Sequence, residues 1–128
     1  MDSVALGDGA RYVRWVRYYG FGDTDNYMIT CCPDFSSIPT ILVFQKVFKS
    51  SMIRREDDLL SLLVDHELIH AKQIYEEKRG RLKKNPIENE LEAYRNQLEA
   101  IKSNRRYVSP ELLEDIERKI KAFESFNS

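Results

Sequence analysis

The chain has two histidines, and they stand four residues apart with a glutamate directly after the first: His66-Glu67-Leu68-Ile69-His70. On a helix, side chains four apart leave from the same face. Two imidazoles so placed can hold one zinc ion at about 2.0–2.1 Å each. In the pattern His-Glu-x-x-His the glutamate is the general base for a metal-activated water. Two core histidines beside a surface glutamate would spell the same letters, and the helical wheel separates the two cases. At about 100° per residue, Leu59, Leu62, Leu63, Ile69 and Ile74 share a sector with both histidines. Leu60, Val64 and Leu68 widen the apolar surface, and Ser61, Asp65, Lys72 and Glu76 form one narrow polar stripe. Glu67 falls outside that stripe, between Leu60 and Leu63. Two imidazoles and a carboxylate are therefore expected to point inward. Burying them unpartnered is costly, and a metal ion is the partner that resolves the cost.

Zinc takes a third protein ligand. There is no third histidine, and the cysteines lie in the predicted β half, so a carboxylate remains. The second helix offers Glu88, Glu90, Glu92 and Glu99. Its apolar face is defined by Ile87, Leu91, Tyr94, Leu98 and Ile101. Glu90 lies at the edge of that face, beside Ile87 and Tyr94. Glu88, Glu92 and Glu99 fall on the opposite, solvated side. Glu90 follows His70 by 20 residues, a spacing that suits two helices folded back on one another through a short connection at 79–84. Gln73 shares the histidine face, either at the cleft or as a boundary residue.

The elements that must position these groups divide into a β half and an α half. Arg11 to Tyr19 is rich in aromatic and β-branched residues, Tyr27 to Cys32 reads as a short strand, and Thr40 to Phe48 gives the clearest strand signal. Gly20 to Asn26 breaks the chain. A long helix begins near Glu56-Asp57-Asp58, acids that suit a helix start, and runs to about Arg79, with Gly80 as its stop. Asn85-Pro86-Ile87-Glu88 starts a second helix that runs to about Ser103. Ser109-Pro110 opens a third, with Leu112, Leu113, Ile116, Ile120 and Phe123 on one stripe. No internal repeat is present.

At 128 residues, 42% hydrophobic and 32% charged, the chain reads as one soluble α+β domain spanning 1–128. A formal net charge of -1 argues against gripping nucleic acid through overall charge. Arg11 to Tyr19 interleaves cations with aromatics, as a nucleic-acid surface would. The simpler reading is a strand with one buried and one solvated face, so nucleic acid is not the expected partner. No apolar run spans a membrane, and the first residues lack a secretory pattern, so the expected location is cytoplasmic. Cys31 and Cys32 are adjacent, a geometry in which a bridge is strained. They are expected to be small, half-buried strand residues in a reducing compartment. Asp23-Thr24-Asp25 lacks the remaining spacing of a calcium loop and reads as a turn.

His66-Glu67-x-x-His70 followed by Asn89-Glu90-x-x-Ala93 on a second helix resembles the gluzincin branch of zinc metallopeptidases. The size and the β-then-α order resemble its small single-domain members, the minigluzincins. The resemblance spans about residues 40–100. It implies a zincin-like fold, with a small N-terminal sheet, an active-site helix, a ligand-bearing second helix and a C-terminal helix. It implies Zn2+ held by His66, His70 and Glu90, peptide-bond hydrolysis with Glu67 as general base, and a peptide or protein substrate. The strand Thr40 to Phe48 would form the rim of the cleft and offer backbone groups to an extended peptide. Where large members often carry an Asp that orients a zinc-bound histidine, this chain has Tyr94, either a partner for an imidazole or a core aromatic. Large members also use a downstream His or Tyr for the oxyanion. Here the candidates are Tyr94, Tyr107, Arg105 and Arg106. Small members can be latent, and the third helix with residues 123–128 is the segment able to block the cleft. The alternatives are a non-catalytic, zinc-stabilised regulatory module and a nucleic-acid-binding module built on the basic aromatic strand.

Overall fold

β-Branched and aromatic residues cluster in three short runs, and these pair into one sheet. The computed structural model describes residues 7–19, 26–31, 38–81 and 85–126. The strands are β1 (Trp15–Tyr19), β2 (Met28–Cys31) and β3 (Thr40–Phe44), in the order β1-β3-β2. β1 pairs parallel to β3, with Trp15 opposite Thr40 and Tyr19 opposite Phe44. β2 pairs antiparallel to β3, with Met28 opposite Val43 and Cys31 opposite Thr40. The clearest strand signal thus belongs to the central strand, which is hydrogen-bonded on both sides. β3 is shorter than the expected Thr40 to Phe48. Gln45 turns the chain into the one-turn helix α1 (Lys46–Lys49), because Phe44 and Val47 both enter the core, three residues apart as in a helix rather than two as in a strand.

The segment 11–19 also differs from expectation. Gly7–Tyr12 forms a 3-10 turn, and Tyr12 is buried against Leu68 and Ala71. In β1 only Val16 is even half-buried, so the strand has no buried face. Cys31 is half-buried at the end of β2, but it is disulfide-bonded rather than a free thiol. Cysteine usage therefore no longer argues for a reducing compartment. Cys32, the break at 20–25 and most of the basic connector (82–84) lie outside the described residues. Among the described residues, no helix is long and apolar enough to cross a membrane.

The α half holds three long helices. The first, α2, runs from 56 to 78 in three consecutive segments: α-helical Glu56–Leu60, π-helical Ser61–Glu67 and α-helical Leu68–Lys78. Gly80 follows with φ +72°, a left-handed position that glycine adopts without a Cβ penalty. α3 (Pro86–Lys102) starts at Asn85, whose Oδ1 accepts from the Glu88 N–H at 3.2 Å. α4 (Pro110–Phe126) packs on α3 through Leu112, Ile116 and Ile120 against Leu91. A second cluster joins the sheet to α2, with Met28, Ile41, Val43 and Val47 around Leu63.

Asp58 ties the start of α2 to the start of α4. It is fully buried. Its carboxylate accepts from the backbone N–H groups of Arg54 (3.0 Å), Arg55 (2.9 Å) and Ser109 (2.6 Å), and from the Ser109 hydroxyl. Burial pushes its pKa up, but these bonds outweigh burial and hold it below the ordinary carboxylate value. A depressed native pKa means the stabilisation is complete above the unfolded-state pKa and disappears as pH falls through the native one. Asp58→Asn is expected to cost roughly 2–3 kcal/mol at neutral pH, since bonds to a charged group contribute about 1.5–3 kcal/mol each and are not additive. Urea unfolding across a pH series checks this: the gap between parent and variant should narrow below about pH 3.9.

Candidate metal centre

His66 lies near the end of the π-helical segment, and His70 opens onto the same face one turn later. The Leu68 N–H donates to the Leu63 carbonyl, five residues back, as in a π-helix. That wider turn alters the wheel. Ser61 and Asp65, expected on the solvated stripe, are buried. α3 covers them: Gln97 Nε2 donates to Ser61 Oγ at 3.1 Å, and Asn96 Nδ2 donates to the Asp65 carbonyl at 2.9 Å. Arg106 pairs with the Asp65 carboxylate at 3.0 Å.

One ligand atom each from His66, His70 and Glu90 lie within 4.8 Å of one another, a group able to hold a metal ion. His66 Nε2 is 3.8 Å from Glu90 Oε1, and His70 Nε2 is in direct contact with the same oxygen. Tetrahedral zinc with bonds near 2.0–2.2 Å sets its ligand atoms on the order of 3.4 Å apart, so the group fits an ion once the His70–Glu90 contact opens. The other nitrogen of each ring is already engaged. His66 Nδ1 donates to Gln97 Oε1 at 2.7 Å, and His70 Nδ1 donates to Gln73 Oε1 at 2.8 Å. With Nδ1 as the donor, the Nε2 atom of each ring faces the site, that of His66 open to an ion and that of His70 against Glu90. Gln73 is in turn held by its Nε2, which donates to the Asn89 carbonyl at 3.1 Å and to Glu92 Oε1 at 2.6 Å. Glu92 is exposed, as expected, yet it contributes to the site through Gln73.

Glu67 is buried beside this group. Its Oε1 accepts from the Thr30 hydroxyl at 2.9 Å, while its Oε2 lies 3.6 Å from His66 Nε2. Burial pushes the Glu67 pKa up to about 7, close to the range in which a carboxylate works as a general base at neutral pH. Burial, with the charge of His70, pushes His66 down to about 4, so its ring is neutral and able to ligate. Burial also disfavours charge on His70 and Glu90, but their mutual contact outweighs it, raising His70 and lowering Glu90.

The group opens onto a cleft of about 780 Å³. Tyr27 and residues Met28 to Thr30 of β2 line one wall, and α4 contributes Leu112, Asp115, Ile116 and Lys119 to another. Among the described residues the rim strand is therefore β2, at the edge of the sheet, and not the expected Thr40 to Phe48, whose strand part, β3, is hydrogen-bonded on both sides. α4 flanks the cleft rather than filling it, and residues 127–128 lie outside the described residues.

Of the remaining sequence candidates, Tyr94 reaches the site and the others do not. The Tyr94 ring lies 4.4 Å from the His66 ring and 5.9 Å from Phe123, so it touches the imidazole by packing and not by a hydrogen bond. Burial pushes its hydroxyl pKa up, which keeps it protonated. Tyr107 is 66% exposed, with its backbone N–H on Asp57. Arg105 donates to Ser103 and Arg106 to Asp65. None of the three lines the cleft.

Thr30 and Gln97 were not read from the sequence. Gln97 carried a signal: it stands seven residues after Glu90, two helical turns along the same face. Thr30 carried a weaker one, sharing a strand face with the core residue Met28. Gln97→Leu is expected to weaken metal binding by about 10–100-fold, as loss of a histidine's partner does. Competition with a chromophoric chelator measures this, and unchanged affinity would show that the amide does not hold the ring.

No protein-family model matches the chain, and no curated protein or solved structure matches it.

Proposed function

We propose that the chain is a zinc-dependent peptidase of the gluzincin type. The observation that carries this reading is the convergence of His66 Nε2, His70 Nε2 and Glu90 Oε1, with Glu67 Oε2 3.6 Å from His66 Nε2. The donor set of two imidazoles and one carboxylate is that of a zinc site with an open position. Bound zinc would supply Lewis acidity, lowering the pKa of water in that position and polarising an amide carbonyl. Glu67 takes the proton as the water attacks and delivers it to the departing amine. Thr30 holds one Glu67 oxygen, leaving the other free for that transfer. β2 supports the peptide assignment. As a strand at the edge of the described sheet and lining the cleft, it can pair with an extended chain. The test is cleavage of a peptide library by the zinc-loaded parent and by Glu67→Gln. Equal cleavage by both would overturn the mechanism.

A further inference from the structure

Attack on an amide carbonyl leaves negative charge on its oxygen, and a site that meets this charge with a fixed donor gains much of its rate there. We propose that Lys119 is the oxyanion-stabilising group of this cleft, an inference that rests on the peptidase reading.

Among the described residues, four cationic side chains line the cleft: Lys46, Lys78, Arg118 and Lys119. Lys46 sits over the Tyr27 ring at 4.7 Å, on the β2 wall. Lys78 is exposed at the end of α2, and the Arg118 side chain is 68% exposed. Lys119 is different. Its ammonium is 5.7 Å from the centre of the Tyr94 ring, the ring that packs on His66. Its side chain is 42% exposed, less than that of Arg118. Its orientation is fixed from below: Asp115, buried in the same wall, holds Lys119 Nζ at 3.3 Å. Asp115 also contacts Arg118, so one carboxylate is shared by two cations and the three side chains together are net positive. An ammonium tethered in this way on the cleft wall is a charged donor for an oxygen anion.

Two classes of inhibitor separate this role from a structural one. A peptide phosphonamidate carries a tetrahedral anion in place of the scissile carbonyl, whereas a peptide hydroxamate grips the metal without one. In the zinc-loaded protein, Lys119→Met is expected to lower kcat and phosphonamidate affinity by about 10²-fold, the usual loss of one oxyanion donor. KM, zinc stoichiometry and hydroxamate affinity should stay at parent values. Lys119→Arg should keep most of the phosphonamidate affinity, and Tyr94→Phe should lose less than Lys119→Met. Parent-like turnover and phosphonamidate binding in Lys119→Met would overturn the inference and leave the peptidase reading standing. So would a parallel loss of zinc and hydroxamate, which marks a structural role. A parent that binds zinc but neither cleaves peptides nor binds the phosphonamidate would remove the peptidase reading, and this inference with it.

Discussion

The Glu67→Gln variant is expected to bind one zinc ion per chain and to lose turnover by about 10²–10⁴-fold, the usual contribution of a general base. Glutamine matches glutamate in size, and its amide oxygen can still accept the Thr30 hydroxyl that holds Oε1 at 2.9 Å. The cleft therefore keeps its shape. What changes is the second position, 3.6 Å from His66 Nε2, where an amide nitrogen cannot take a proton from water. Zinc content by elemental analysis and cleavage by mass spectrometry read the two properties separately. A variant that loses zinc and turnover together would assign Glu67 to holding the metal.

Glu90→Ala is expected to abolish stoichiometric zinc and the thermal stabilisation that zinc brings. At a metal concentration 1,000 times the Kd, binding stabilises the folded state by about 4.1 kcal/mol. At roughly 4 °C per kcal/mol for a domain of this size, that is a rise in Tm of more than about 10 °C. Differential scanning fluorimetry with and without zinc should show such a rise for the parent and little for Glu90→Ala. Glu92→Ala is the control two positions along the same helix. It removes a hydrogen bond to Gln73 but no ligand, so its shift should remain close to the parent's. Equal loss in both variants would mean that α3 contributes charge to the site rather than a specific ligand.

The convergence of His66, His70 and Glu90 was legible because its signals are local. Four-residue spacing pairs His66 with His70 whatever the surrounding fold, and the edge of the α3 apolar face singles out Glu90. The caps at Asn85 and Gly80 were legible for the same reason. The misreadings were places where tertiary contacts override local pattern. The regular 100° wheel put Ser61 and Asp65 in solvent, and neither the π-helical turn nor the covering by Gln97, Asn96 and Arg106 was visible in that window. The strongest β signal marked the centre of the sheet, because a strand buried between two neighbours is the most uniformly apolar. The edge strand that lines the cleft is four residues long and carries a correspondingly faint pattern. Tyr107 lay close enough in sequence to be a candidate, but the turn after α3 carries it out to solvent.

The π-helical stretch has a consequence for how this chain can vary. Asp58 clamps α2 upstream of it, and Gln97 holds His66 at its downstream end, so the number of residues between the two anchors is fixed. Adding a residue within 61–65 that the helix does not absorb as a wider turn would swing everything beyond by about 100°, carrying both imidazoles away from Glu90. The length of this stretch, and not only its side chains, is part of the candidate metal site.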